Sequence, residues 1–231
     1  MKKMIIIASL LLPGMFHLFA QQAKSKPFTG SLMPDSCSFM TTGRNTYFIL
    51  EPFYQQILQG IEGHDTTTLV ITVLNESRKI GSVETRIIEE KEMLNGKPIE
   101  ISRNFFAFCR QTGTVYYFGE EVDMYRDGKI VSHEGAWIAE GQNKPGVQMP
   151  GLILLGSRYY QEIAPAVAMD RAEILSMTET MKTPAGYFMN VLKTEETTPL
   201  EPKNKEYKYY APGVGLIRDE NLLLIRYGFI K

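Results

Sequence analysis

The chain is short of the side chains on which most catalytic and metal chemistry depends: three histidines, two cysteines and one tryptophan among 231 residues. His17 falls in the apolar N-terminal stretch, which leaves His64 and His133, too few for a structural zinc site or a cysteine–histidine nucleophile pair. His133-Glu134 lacks the second histidine of H-E-x-x-H, because Trp137 stands in its place, so the helical zinc-protease arrangement is excluded. G-x-S-x-G and S-x-x-K are absent, and Gly213-Val214-Gly215 lacks the third glycine of a dinucleotide loop. No D-x-D-x-D-G loop is present to hold Ca²⁺. No catalytic residue, metal or cofactor is therefore expected. Basic charge is not in surplus either, with 25 Lys and Arg against 26 Asp and Glu, and no basic block follows a phosphate backbone, so nucleic acid is not an expected partner.

Long apolar runs are confined to the start. Lys2 and Lys3, the apolar stretch Met4 to Leu12 and the end Leu18-Phe19-Ala20 read as a secretory signal peptide over residues 1–20, cleaved after Ala20. The stretch is broken by Pro13 and Gly14 and falls short of the roughly 20 residues a spanning helix needs, so no transmembrane segment is expected in the mature chain. The first cysteine is Cys37, preceded by Pro34-Asp35-Ser36, which argues against lipid anchoring. The expected location is periplasmic or extracellular. There Cys37 and Cys109 could pair, or Cys109, in NFFAFCR, could be a buried thiol acting as a small apolar residue.

Residues 21–45 are polar, carry Pro27, Gly30, Pro34 and Gly43, and read as a flexible lead segment. From residue 46 to 231 turn signals recur every ten to fifteen residues between β-branched and aromatic runs, the pattern of one antiparallel β domain, a curved half-barrel or sandwich with at most one or two short helices. Asn95-Gly96 and Asp127-Gly128 between extended runs predict two-residue hairpins. Ile99, Ile101, Phe105 and Ala107 share one face of a half-buried strand, with Glu100, Ser102 and Asn104 opposite. Residues 140–156, rich in Gly and Pro, are expected as the longest irregular connection, a mobile lid or rim. Ser157 to Ile163 reads as one short strand, residues 164–175 fit a strand or a helix, with strand preferred, and LLLIRYGFI reads as a central strand covered on both faces.

Three segments put charge on both faces of an apparent strand. If residues 129–138 are extended, His133 points with Val131 and Trp137 while Glu134 points with Ile130, Ala136 and Ile138, so a titratable group is buried whichever face is the core and needs a partner. In DRAEIL, Asp170 shares a face with Ala172 and Ile174, and Arg171 and Glu173 share the other. The run from Leu192 to Thr198 includes Glu195 and Glu196. Such strands stand at a sheet edge or line a wet cavity, and the candidate ligand-binding set is His133, Glu134, Trp137, Asp170, Arg171, Glu173, Glu195 and Glu196. A site requires that His133, Glu134, Asp170 and Glu195 converge within about 6 Å.

The blocks YYFGEEVDMY, DGKIVSHEGAW, AMDRAEI, TPAGYF, LKTEETTPLEP and KEYKYYAPGVGLI resemble, in this order over roughly residues 46 to 225, a family of uncharacterised exported bacterial proteins. TPAG-x-F followed by YYAPGVGL is similar to periplasmic families of LolA-like architecture, and this resemblance implies a curved antiparallel sheet wrapped on one side by a short helix or loops. It implies no activity. The functional expectation is a non-catalytic binding module for a small polar or amphipathic ligand in the cell envelope. Alternatives are a structural or interaction module with an envelope protein partner, whose charge clusters only hold the fold, and a carboxylate-dependent hydrolase.

Overall fold

The computed structural model describes residues 26–30, 32 and 34–231; the expected signal peptide, residues 1–20, and part of the lead segment lie outside the described residues. A short 3-10 turn, Pro34–Ser36, precedes β1 (Phe39–Met40), β2 (Gly43–Asn45), β3 (Phe48–Leu50), β4 (Tyr54–Glu62), β5 (Asp65–Ile80) and β6 (Val83–Leu94). Then come β7 (Lys97–Cys109), β8 (Val115–Arg126), β9 (Lys129–Ser132), β10 (Trp137–Ile138), β11 (Lys144–Met149), β12 (Arg158–Tyr160) and β13 (Glu162–Ile163). The last five are β14 (Arg171–Thr183), β15 (Gly186–Thr197), β16 (Glu206–Ala211), β17 (Gly215–Asp219) and β18 (Leu222–Phe229). Every pairing between named strands is antiparallel. β2 and β3 form a small separate sheet.

The large sheet runs β12-β14-β15-β16-β17-β18-β4-β5-β6-β7-β8-β11-β13. Its two ends, β12 and β13, are separated in sequence only by Gln161, so one continuous segment pairs with β14 at one edge and β11 at the other. The sheet therefore curls into a nearly closed barrel. This arrangement leaves few open ladder edges.

The closure depends on a close approach. A Cβ at Gly146 in β11 would overlap the backbone carbonyl of Gln161. Gly146→Ala must push β11 away from the Gln161 kink that joins the two ends of the sheet, and a loss of about 3 kcal/mol is expected in urea unfolding. A variant as stable as the native chain would show that the ends do not meet at this point.

The local turn chemistry behaves as the sequence indicates. Asn95 and Gly96 have φ of 51° and 77°, and Asp127 and Gly128 have 53° and 73°, the pair of positive values a two-residue hairpin of this hand requires. Residues 164–168 turn, and strand begins at Arg171. Four expectations are corrected. Residues 140–156 are not one irregular connection, because β11 lies within them and pairs with β8 and β13. The segment Ser157 to Ile163 is two strands with a kink at Gln161. β18 is central in the sheet but covered on one face only, with Leu224 buried and Tyr227 and Phe229 exposed. Residues 129–138 are not one strand: β9 stops at Ser132 and the chain turns through Gly135, whose φ is 91°, before Trp137.

Cys37 and Cys109 are joined by a disulfide, their Cα atoms 5.2 Å apart. β1 pairs with the end of β7 beside it, and Phe39 sets its ring edge-on to Tyr116 and Phe118. Phe28 lies under the guanidinium groups of Arg158 and Arg171 at 4.0 and 4.4 Å. Much of the described lead segment is thus built onto the barrel.

Candidate ligand-binding lumen

Strand alternation and register together say which side chains face inward. Gln56, Ile71, Glu90, Ser102 and Val122 stand opposite one another on β4 to β8, so all five share one face of the sheet. Leu58, Leu69, Glu92 and Glu100 form a parallel row. Across the barrel, Thr194, Lys208 and Asp219 make one row on β15 to β17, and Glu196 stands opposite Glu206 in the next. Burial confirms that this is the inside: Leu58, Thr194 and Leu224 are fully enclosed, and Ser102 and Asn104 nearly so. The polar face of β7, not the face of Ile99 and Ile101, points into the barrel. That reverses the expectation from Ile99 to Asn104, whereas Phe105 and Ala107 are buried in the core as expected.

Lys208 stands near the middle of the interior. Its Nζ is 3.1 Å from Glu196 Oε2 and 3.8 Å from Asp219 Oδ2, and the Glu196 carboxylate holds the ammonium pKa well above its ordinary value against the opposing effect of burial. Glu196 Oε1 also accepts from Gln161 Nε2 at 3.2 Å and from the Thr194 and Tyr210 hydroxyls, each at 3.4 Å.

The remaining carboxyls are less well served. Burial, reinforced by Asp219, Glu100 and Glu196, pushes Glu90 up to about 7 despite Lys208. Glu90 is half-buried and borders the cavity described below. Burial pushes Glu120 up to about 8, opposed by the nearby Tyr117 hydroxyl, whose single proton is donated to Asn104 Oδ1 at 2.5 Å. Glu162 is raised well above the carboxylate range by burial, then by Asp170 and Glu120. Asp170 is raised by burial of its carboxyl although the residue as a whole is exposed at the rim. The Trp137 indole N–H approaches Glu162 and holds its pKa down a little; among the described residues Trp137 Nε1, Glu162 Oε2 and Gln161 Oε1 make no hydrogen bond of ordinary geometry.

A cavity of about 80 Å³ lies against Glu90, Lys208 and Asp219. Phe48, Ile49, Val73, Ile88 and Phe106 line one part of it, and Gln56, Glu90, Lys208, Tyr210 and Asp219 another. Two depressions adjoin the same polar end. One, of 310 Å³, is lined by Glu62, Glu92, Glu206, Asp219 and Glu220 among others, and a second, of 200 Å³, by Asp170, Glu196, Glu201 and Glu206 with Thr197, Thr198 and Asn204. Neither contains a Lys, Arg or His. Acidic mouths with low-dielectric walls concentrate cations and repel anions.

The eight residues singled out from sequence separate. Trp137 and Glu196 are buried in the interior, with Trp137 edge-on to Tyr117 at 5.4 Å, and Asp170 is on the rim. Arg171 donates to Thr197 Oγ1; Glu173 is paired with Arg158 at 3.1 Å and Glu195 with Lys205 at 3.1 Å. Those three sit on the strand positions that alternate with buried Ala172, Ile174 and Glu196, hence on the outer face. His133 is exposed, its Nδ1 2.7 Å from the Val122 carbonyl oxygen and 3.0 Å from Asp123 Oδ1, and Glu134 is exposed in the same turn. The break at Gly135 removes the need to bury either. Sequence reading missed Glu90, Glu92, Glu100, Glu120, Glu162, Lys208 and Asp219. The available signal was the period-two row Glu100, Ser102, Asn104, which marks a polar inner face as readily as an outer one.

Among the described residues no helix is long and apolar enough to cross a membrane. No protein family matches the chain, and no match was found among curated proteins or solved structures.

Proposed function

We propose that this is an exported binding protein of the cell envelope that takes a small amphipathic ligand into the barrel interior. The observation that carries the reading is the cavity lined by aromatic and aliphatic side chains together with Glu90, Lys208 and Asp219, the mixture typical of sites that bury an apolar body and orient a polar end. Its volume corresponds to about six waters, so the ligand is small, on the order of seven non-hydrogen atoms. The disulfide supports an oxidising compartment, and the N-terminal sequence and the resemblance to exported bacterial families support export.

Trp137 is the sole tryptophan of the chain and packs edge-on to Tyr117, which stacks on Phe106 of the cavity wall, so its fluorescence reports on occupancy through those two rings. With 1-hexanol as the probe, saturation is expected to change the Trp137 emission and raise the melting temperature by about 3 °C at ten times Kd. Ile71→Phe, which fills part of the cavity, is expected to abolish both responses. An unchanged wild-type emission and melting temperature would sink the reading.

A further inference from the structure

We propose that the protein docks on an anionic lipid surface by one end of the barrel, with the leucine loop between β11 and β12 entering the headgroup layer. This surface is separate from the cavity, and the proposal does not depend on what the cavity holds.

Antiparallel strands send alternate connections to opposite ends. The segment entering β4 (residues 51–53), the β5–β6, β7–β8, β11–β12 and β16–β17 connections and the residues after β18 all emerge at one end. The sole carboxylate side chain in these segments is Glu51, and Arg44 holds it through two hydrogen bonds of 2.6 and 2.7 Å. Arg110, in the β7–β8 turn, is exposed and makes no ion pair among the described residues. Connections at the opposite end carry Asp127, Asp170, Glu201 and Glu220 against Lys203 and Lys205, and its two depressions are lined by carboxylates without a basic group. Charge is therefore divided along the barrel, and an anionic surface repels one end only.

The end without free acid is also apolar. Leu152, Leu154 and Leu155 are 73%, 55% and 68% exposed, while Ile153 between them packs on the core. The loop is fixed rather than loose. Gly151 lies so close to the β7–β8 turn that a Cβ would overlap the Thr112 carbonyl oxygen. Asn45 Nδ2 donates to the Pro150 oxygen at 2.8 Å, the Gly156 N–H donates to the Ile174 oxygen at 2.8 Å, and the Ser157 N–H closes a turn on the Leu154 oxygen at 3.0 Å. Phe53, Phe229 and Ile230 are exposed at the same end, tied together by the Ile230 N–H on the Phe53 oxygen and by Arg44 over the Phe229 ring.

These features select lipid over protein. A stable protein interface uses roughly 20–30 residues a side, and leucine is under-represented among the residues that dominate such interfaces. Leucines held on one turn, with aromatic rings and a free arginine at the same end, suit the boundary between headgroups and acyl chains. Exposed apolar residues at the other end do not form such a surface, since Ile61 adjoins Glu62 and Leu200 adjoins Glu201.

The test is flotation of the protein lacking residues 1–20 with vesicles of phosphatidylcholine alone and of phosphatidylcholine mixed with phosphatidylglycerol. Wild-type protein is expected to bind the mixed vesicles at least threefold more than the neutral ones, a preference that high salt reduces. Leu154→Ser with Leu155→Ser changes exposed side chains and is expected to lower vesicle binding tenfold or more with the melting temperature unchanged. Arg110→Glu should remove the preference for mixed vesicles, and Ile61→Ser, at the opposite end, should bind as the wild type does. Absence of wild-type flotation with both vesicles would overturn the proposal, as would a leucine variant that floats undiminished. Equal binding to the two vesicles would overturn the anionic part. A wild-type dimer that the leucine variant abolishes, with no flotation, would assign the surface to a second copy of the chain instead.

Discussion

Replacing Cys37 and Cys109 together by alanine is expected to lower the unfolding free energy by about 4 kcal/mol, on the chain-entropy argument for a long closed loop. The bridge joins positions 72 residues apart, and such a loop costs the unfolded chain a large part of its freedom. The native-state side adds to this. The bridge anchors β1 against the end of β7, where Phe39 packs on Tyr116 and Phe118 and the Cys109 side chain is fully buried. For a chain of this size each kcal/mol shifts the melting point by roughly 2–4 °C, so a fall of about 10 °C is expected. Wild-type protein in reductant should melt with the variant. A loss below about 1 kcal/mol would mean that the segment before β2 contributes little to the fold.

The second large effect is a stability that falls as pH rises. Glu90 and Glu120 titrate in the folded protein at about 7 and about 8, against 4.5 for the ordinary side chain. Between those values the native state holds protons that the unfolded chain has released. Since stability rises with pH only where the unfolded state binds more protons, it must fall across this window. The contribution is fully present below about 4.5 and is lost as pH passes through 7 and 8. Each group contributes about 2–3 kcal/mol to the difference, at 1.4 kcal/mol per pH unit with allowance for water in the cavity.

Wild-type protein is therefore expected to melt several degrees higher at pH 5.5 than at pH 8.5. Glu90→Gln with Glu120→Gln should flatten that dependence and stabilise the fold at pH 8.5, since a neutral amide avoids the cost of an uncompensated buried charge. A wild-type melting point that climbs from pH 5.5 to 8.5 would contradict the assignment.

Several elements were legible in the sequence because their causes are local. Positive φ at Asn95-Gly96 and Asp127-Gly128 is a property of those residues, so the hairpins and the all-antiparallel class follow without knowledge of the rest of the chain. The strand from Arg171 onward, with Ala172 and Ile174 on one face and Arg171 and Glu173 on the other, also follows from alternation alone. Trp137 and Glu196 were found as interior groups because each lies in a segment whose charge pattern conflicts with a simple amphipathic strand.

What alternation could not supply was the sign of each face. A period of two separates Glu100, Ser102 and Asn104 from Ile99 and Ile101, but it does not say which set is inside. That depends on which way a sheet of thirteen successive strands curls, and on whether its interior is dry or holds a cavity. The meeting of Lys208 with Glu196, Asp219 and Glu90 depends on strands far apart in sequence, and the unpartnered oxygens of Gln161 and Glu162 exist only because the barrel closes at that kink. The low histidine and cysteine content, the hairpin turns and the antiparallel class were settled by residue chemistry acting over a few positions. The lumen, its excess of acid and its single lysine were settled by curvature and closure, which no local pattern encodes.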